Sequence, residues 1–266
     1  MPNKLFGRPE NSLHILGDLA HGVPPTIWDR HFEAVIHFAA QSHVDTSIDA
    51  PTSTVKNNIL ATQNLLEYTR SIDARFVHIS TDEVFGSLKA DAPAFTTESQ
   101  YRPNSPYSAS KAACDHLVRS YRETFGLRAT TFNCTNNFGP GQDPSKFIPK
   151  VIYSLMRKRG IPIYGDGEQI RDWIHVEDFC NFIRTFLTRD VEESSFVVGA
   201  NDPWTNNQIV TQIIRHYEKL SGYRDLEKLR GITFLCDRLG PLIFGFRSIP
   251  AIRLYRISNG NRANRC

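Results

Sequence analysis

Ala34-Val35-Ile36-His37-Phe38-Ala39-Ala40 is a continuous apolar run of the buried-strand type, and what flanks it decides the fold. Downstream, residues 51–70 place Val55, Ile59, Leu60, Ala61, Leu65, Leu66 and Tyr68 at helical spacing, with Pro51 suited to a first turn. Phe76-Val77-His78-Ile79-Ser80 follows as a second short apolar strand. Strand, helix, strand in that order predicts right-handed crossovers and a parallel sheet. Upstream, Leu13-His14-Ile15-Leu16 reads as a short strand ending at Gly17-Asp18, and Gly22, Pro24 and Pro25 interrupt the chain before a helical stretch around Trp28. Further on, residues 107–121 and 146–156 carry helical periodicity, and residues 129–134 read as another strand.

The chain's 266 residues, 40% of them hydrophobic, suffice for one large domain or a domain with a smaller lobe. Its five cysteines are scattered, odd in number and without a C-x-x-C pair, which argues against a disulfide framework and against a metal site. A reduced, cytoplasmic setting is expected. Residues 1–10 are polar, and no run of about 18 uncharged apolar residues occurs, so neither secretion nor a membrane partner is expected. A formal net charge of +3 calls for no nucleic-acid partner.

Parallel sheets bind ligands at the carboxyl ends of their strands. Thr81-Asp82-Glu83 directly follows a strand, so a hydroxyl and two carboxyl groups are expected at a ligand edge, although an isolated T-D-E also suits an N-cap or a solvated turn. Tyr107 and Lys111 stand four apart on one helix face, where an ammonium favours a phenolate able to act as a base. A chance Y-x-x-x-K on a solvated face is the alternative. Asn136 and Asn137 suit either hydrogen bonding to a polar ligand or an Asx turn. Arg171 suits phosphate oxygens, or an ion pair with Asp172 or Asp166.

Four segments in this order, Ala39-Ala40-Gln41-Ser42-His43-Val44-Asp45, Ser80-Thr81-Asp82-Glu83-Val84-Phe85-Gly86, Ser105-Pro106-Tyr107-Ser108-Ala109-Ser110-Lys111 and Asn136-Asn137-Phe138-Gly139-Pro140, resemble the extended short-chain dehydrogenase/reductases. Within that family they are most similar to the dTDP-glucose 4,6-dehydratases, over about residues 12–238. The acid pair Asp82-Glu83 discriminates this group from the related epimerases and decarboxylases. The resemblance implies a Rossmann-like parallel sheet over residues 1–158, with one return segment, and a smaller substrate lobe over residues 159–266.

It also implies roles. Tyr107, supported by Lys111, takes the proton of the sugar C4 hydroxyl that Thr81 holds, Glu83 removes the C5 proton, and Asp82 protonates the departing C6 hydroxyl. Asp82 is therefore expected to be protonated and Glu83 ionised in the complex. NAD is the implied cofactor, touching Asp18, Phe38, Ala39, Ala40, Ser42, Tyr107, Lys111 and Asn133. A nucleotide-diphosphate sugar is the implied substrate, contacted by His43, Thr81, Asn136, Lys146, Phe147, Pro162, Tyr164, Arg171, Asn206 and Arg238. A homodimer through residues 51–70 and the Tyr107 helix is implied as well.

Two departures stand against the family pattern. The G-x-x-G-x-x-G turn that receives a dinucleotide pyrophosphate is not in this sequence, since Gly7, Gly17 and Gly22 lack its spacing, and a first β-α-β unit is expected to be missing. Past Asp237-Arg238, Pro241 replaces an expected histidine, and residues 241–266 hold Arg247, Arg253, Arg256, Arg262 and Arg265 without an acidic residue. A terminus altered by truncation, splicing or a shifted reading frame is expected there, a basic membrane- or acid-binding tail being the alternative.

Overall fold

The main sheet consists of four parallel strands, β1 (Ala34–His37), β2 (Arg75–Thr81), β3 (Ala129–Cys134) and β7 (Ser195–Val198), in the order β1-β2-β3-β7. The computed structural model of the chain describes residues 13, 15–87, 93–189, 191–224, 226 and 233–235. Helices α2 (Pro51–Ser71) and α3 (Pro106–Phe125) connect the first three strands and pack on one face of the sheet. Helix α5 (Val176–Leu187) covers the other face.

Alternation along β2 builds both layers. Phe76 joins Leu65, Leu66, Tyr68, Val118 and Tyr121 beneath α2 and α3, whereas Val77 joins Phe132, Phe179, Ile183 and Phe186 beneath α5. Both strand residues are fully buried, as expected for a parallel sheet covered on two faces. A capping box between Ser105 and Ser108 starts α3, and Gly126, in the left-handed region at φ 67°, ends it.

The short helix α1 (Val44–Asp49) precedes α2. Strand β4 (Asn136–Phe138) pairs in parallel with β6 (Ile170–His175), which pairs antiparallel with β8 (Pro203–Thr205). Beside them, α4 (Phe147–Met156), β5 (Pro162–Tyr164) and α6 (Asn206–Ser221) enclose a second core of Val151, Leu155, Ile161, Ile163, Val210 and Ile214. Strand β9 (Thr233–Leu235) pairs with β5.

The strand expected at residues 13–16 does not form. Leu13, Ile15 and Leu16 lie outside any strand, Leu16 is fully exposed, and the chain enters a 3-10 turn at Leu19–His21 capped by Asp18. Short apolar stretches become strands only where a sheet or core receives them, and among the described residues the outer edge of β1 pairs with none. β1 itself ends at His37, so Phe38 leaves the sheet 56% exposed. Arg238 and residues 241–266 lie outside the described residues. No helix among the described residues is long and apolar enough to cross a membrane, and no three of their His, Cys, Asp and Glu side chains are grouped to hold a metal ion.

Candidate active site

Parallel register brings the carboxyl ends of β1, β2 and β3 to one edge. There lie the exposed Phe38, Ala39 and Ala40 after β1, Thr81 at the end of β2 with Asp82-Glu83 following it, and Asn133 near the end of β3 opposite Ser80. Thr81 caps a 3-10 turn, accepting from the Glu83 backbone N–H at 3.2 Å and donating to Asp82 Oδ1 at 3.4 Å. Thr81 is thus an N-cap, and the turn it opens sits at the carboxyl edge of the sheet with Asp82 buried rather than solvated. Gly86 closes the turn at φ 88°, where only glycine sits without strain.

Five titratable groups act on one another here. Burial raises Asp82 well above the usual carboxylate range, and the neighbouring Glu83 raises it further, against the pull of Arg171. Glu83, half-buried, is raised by burial while Arg171 and Lys146 lower it. Tyr107 is 8% exposed, and burial followed by the charges of Glu83 and Asp82 pushes its phenol well above its ordinary value. This direction is the opposite of the lowering that a neighbouring ammonium gives a phenol.

The Lys111 ammonium is turned elsewhere. Buried, it donates to the Ile79 carbonyl at 2.7 Å and lies 3.2 Å from His78 Nε2, so it is committed to β2. Asn133 is likewise turned inward, donating to the Thr81 carbonyl at 3.3 Å and to Asp115 Oδ2 at 2.9 Å.

Facing this edge are residues from the segments around α1, α4, β5 and β6. Lys146 Nζ donates to the Ser42 carbonyl at 2.8 Å, and His43 Nε2 lies 2.8 Å from Ser145 Oγ. Tyr164 Oη donates to Asp45 Oδ2 at 2.8 Å, which brings β5, with Pro162 and Tyr164, beside α1. Phe147 stacks on Trp173 with ring centroids 6.1 Å apart, next to Asn136, which is paired with Trp173 across β4 and β6. Arg171 is half-buried on β6 and feels the charges of Glu83 and Asp82. Its neighbour Asp172 points the other way and is buried, accepting from Thr135 Oγ1, Ala200 N and Asp202 N at 2.9, 2.9 and 2.7 Å.

Asn206 donates to Gln169 Oε1 at 3.3 Å at the start of α6. Asp18 is spent on capping its own turn, accepting from Ala20 N at 2.9 Å. His78 and Asp115, which sequence reasoning missed, lie beneath Lys111 and Asn133. One signal was available: Asp115 follows Tyr107 and Lys111 at four-residue steps and so shares their helix face.

The model of the family described as GDP-mannose 4,6 dehydratase matches residues 14–230. A dTDP-glucose 4,6-dehydratase of Xanthomonas campestris pv. campestris (strain B100) is 43% identical over 225 residues, covering 79% of this chain and 64% of that protein. The chain thus spans about 64% of the length of the curated relatives it matches first. Among solved structures, the dTDP-glucose 4,6-dehydratase DesIV of Streptomyces venezuelae, with NAD and TYD bound, is 32% identical with a TM-score of 0.73, over 87% of this chain and 70% of that one. A dTDP-glucose 4,6-dehydratase of Bacillus anthracis in complex with NAD is 31% identical with a TM-score of 0.71, over 88% of this chain and 69% of that one.

Proposed function

This chain belongs to the GDP-mannose 4,6 dehydratase family, and on that premise we propose that its site carries out the 4,6-dehydration of dTDP-glucose with NAD as a recycled hydride carrier. The observation that carries the proposal is the convergence of Thr81, Asp82, Glu83 and Tyr107 at one strand edge, with Arg171 acting on both carboxyl groups. A site that needs one carboxyl group neutral and another ionised is served by unequal environments. Asp82 is 5% exposed, while Glu83 is half-buried and has both Arg171 and Lys146 to favour its charge.

In this reading Thr81 holds the sugar C4 hydroxyl and Tyr107 receives its proton, the base form of Tyr107 being made in the complex. Once C4 is a ketone, the C5 proton is acidic; Glu83 removes it, and returns it to C5 when C6 accepts the hydride. Asp82 then gives its proton to the C6 hydroxyl, which leaves as water. NAD, when bound, supplies the hydride acceptor for C4 and the hydride donor for C6. Phe38, Ala39, Ala40, Ser42, Tyr107, Lys111 and Asn133 are the residues assigned to it. An ammonium has three donors, and Lys111 commits two to His78 and Ile79, so one is left for a ribose hydroxyl or the phenol. That donor set fits the reactive end of a dinucleotide. The pyrophosphate end has no glycine-rich turn in this sequence to receive it.

His43, Asn136, Lys146, Phe147, Pro162, Tyr164, Arg171 and Asn206 are proposed for the nucleotide sugar, with residues 1–158 and 159–266 as the two functional lobes. A homodimer through α2 and α3 and a cytoplasmic setting complete the proposal. Sedimentation of the purified chain tests the dimer.

The activity is tested by incubating the folded chain with dTDP-glucose and NAD+ and reading the sugar nucleotide by mass spectrometry. Loss of one water, with a ketone at C4, is the expected product. Unchanged substrate from a chain that binds both ligands would overturn the proposal. A second reading, a nucleotide-sugar binder without turnover, is favoured by the open edge of β1, where Ile36 is 36% and Phe38 56% exposed. Calorimetry separates the two, since only the enzyme has to bind NAD+.

A further inference from the structure

His78 stands between a cation and a carboxylate. It is fully buried on β2, with Nε2 3.2 Å from Lys111 Nζ and 3.4 Å from Asp115 Oδ1. A neutral imidazole nitrogen accepts or donates but does not do both, so Nε2 serves one neighbour only. Lysine's ammonium has donors and no acceptor, so opposite Lys111 the proton belongs on Nδ1. Opposite Asp115 it would belong on Nε2.

The surroundings decide between the two. Asp115 Oδ2 already accepts from Ser80 Oγ at 2.9 Å, Tyr101 Oη at 2.8 Å and Asn133 Nδ2 at 2.9 Å. That carboxylate is held from β2, β3 and the loop before α3 without help from the imidazole. Its Oδ1, like His78 Nδ1, has no hydrogen-bond partner among the described residues. Lys111, by contrast, has among the described residues the Ile79 carbonyl and His78 to receive its protons. His37 on β1, with its ring centroid 5.2 Å away, adds no acid to the cluster. Burial and then the nearby Lys111 charge push the His78 pKa down to about 4, outweighing the raising effect of Asp115, so the ring is neutral at pH 7.

We propose that His78 is a positioning residue for Lys111, acting as the Nδ1–H tautomer whose Nε2 accepts one ammonium N–H. The Ile79 carbonyl takes a second, and the third is aimed by these two toward the ligand side of α3. The consequence for turnover rests on the dehydratase reading of Lys111; the tautomer does not.

The test is a long-range proton–nitrogen NMR spectrum of the whole chain, labelled with nitrogen-15 in histidine, at pH 7. His78 is assigned by the cross-peaks lost in His78→Gln or, should that variant not fold, by the contact of its ring with that of His37. The expected spectrum shows Nδ1 protonated and Nε2 bare. In Lys111→Met the two nitrogens exchange these shifts, because Nε2 turns to donate to Asp115. In Asp115→Asn they stay as in the unsubstituted chain. A protonated Nε2 in the unsubstituted chain, or an unchanged pattern in Lys111→Met, overturns the proposal. Turnover is not read, so failure of the dehydratase reading leaves this result standing, and a wrong tautomer sinks this assignment alone.

Discussion

Lys146 Nζ reaches across 104 positions of sequence to donate a 2.8 Å hydrogen bond to the Ser42 carbonyl. The side chain belongs to the N-cap residue of α4, where the helix dipole disfavours a cation, and Glu83 is the acidic neighbour with the largest offsetting effect on it. The contact joins the start of α4 to the loop after β1, beside the Thr81-Asp82-Glu83 turn.

Replacing Lys146 with methionine removes that tie and a cation from the cleft. Calorimetry should show about tenfold weaker binding of dTDP, equal to ~1.4 kcal/mol. The melting temperature should move by no more than about 2 °C, because the bond is exposed to solvent. Unchanged dTDP affinity in Lys146→Met would show that this side chain has no part in the substrate wall.

Asp82→Asn should stabilise the fold at neutral pH and not in acid. The folded carboxyl has a raised pKa, so above the ordinary carboxylate value of ~3.9 the native state holds more protons than the unfolded state, and stability falls as pH rises. Asparagine removes that penalty. Thermal melts should show the variant more stable at pH 7, each kcal/mol recovered giving about 2–4 °C, with the difference vanishing near pH ~4. An equal gain at both pH values would mean that the burial cost of Asp82 is not one of ionisation.

Gly86→Ala should damage both fold and site. A Cβ there would lie 2.4 Å from the Arg102 carbonyl oxygen, a backbone atom that cannot swing aside, and φ is 88°. Strain of this kind costs about 1–3 kcal/mol. Since Gly86 ends the turn bearing Asp82 and Glu83, urea unfolding and dTDP affinity should fall together.

Phe132 should be the most expensive aromatic in the sheet to truncate. It is fully buried, with Phe186 edge-on at 4.9 Å, Phe182 at 5.0 Å and Phe196 at 5.6 Å. Phe132→Ala should lower stability by about 3–5 kcal/mol, read as a shift of the urea midpoint with unchanged slope.

The parallel sheet and its helices are legible in the sequence because β2 is buried on both faces and α2 carries its apolar residues at helical spacing. Leu13-His14-Ile15-Leu16 has the same apolar look, yet Leu13, Ile15 and Leu16 lie in no strand, since a strand needs a partner that its own residues do not encode. The pairings of β4, β5, β8 and β9 are equally hidden, each strand being three residues long. Within the site, the tripeptide after β2 and the Tyr107 helix stand out locally. The redirection of Lys111 onto His78 does not, because it depends on the register that sets β2 against α3.

Arg171 and Asp172 are consecutive, and the pleat sends one toward the cleft and the other into the interior. A slip of one residue in β6 would exchange them, putting a carboxylate where a guanidinium now acts on Asp82 and Glu83. The three donors that fasten Asp172 come from Thr135, Ala200 and Asp202, all outside that strand. They therefore act as a reading-frame lock: the polarity of the cleft is kept correct by a carboxylate that never faces it.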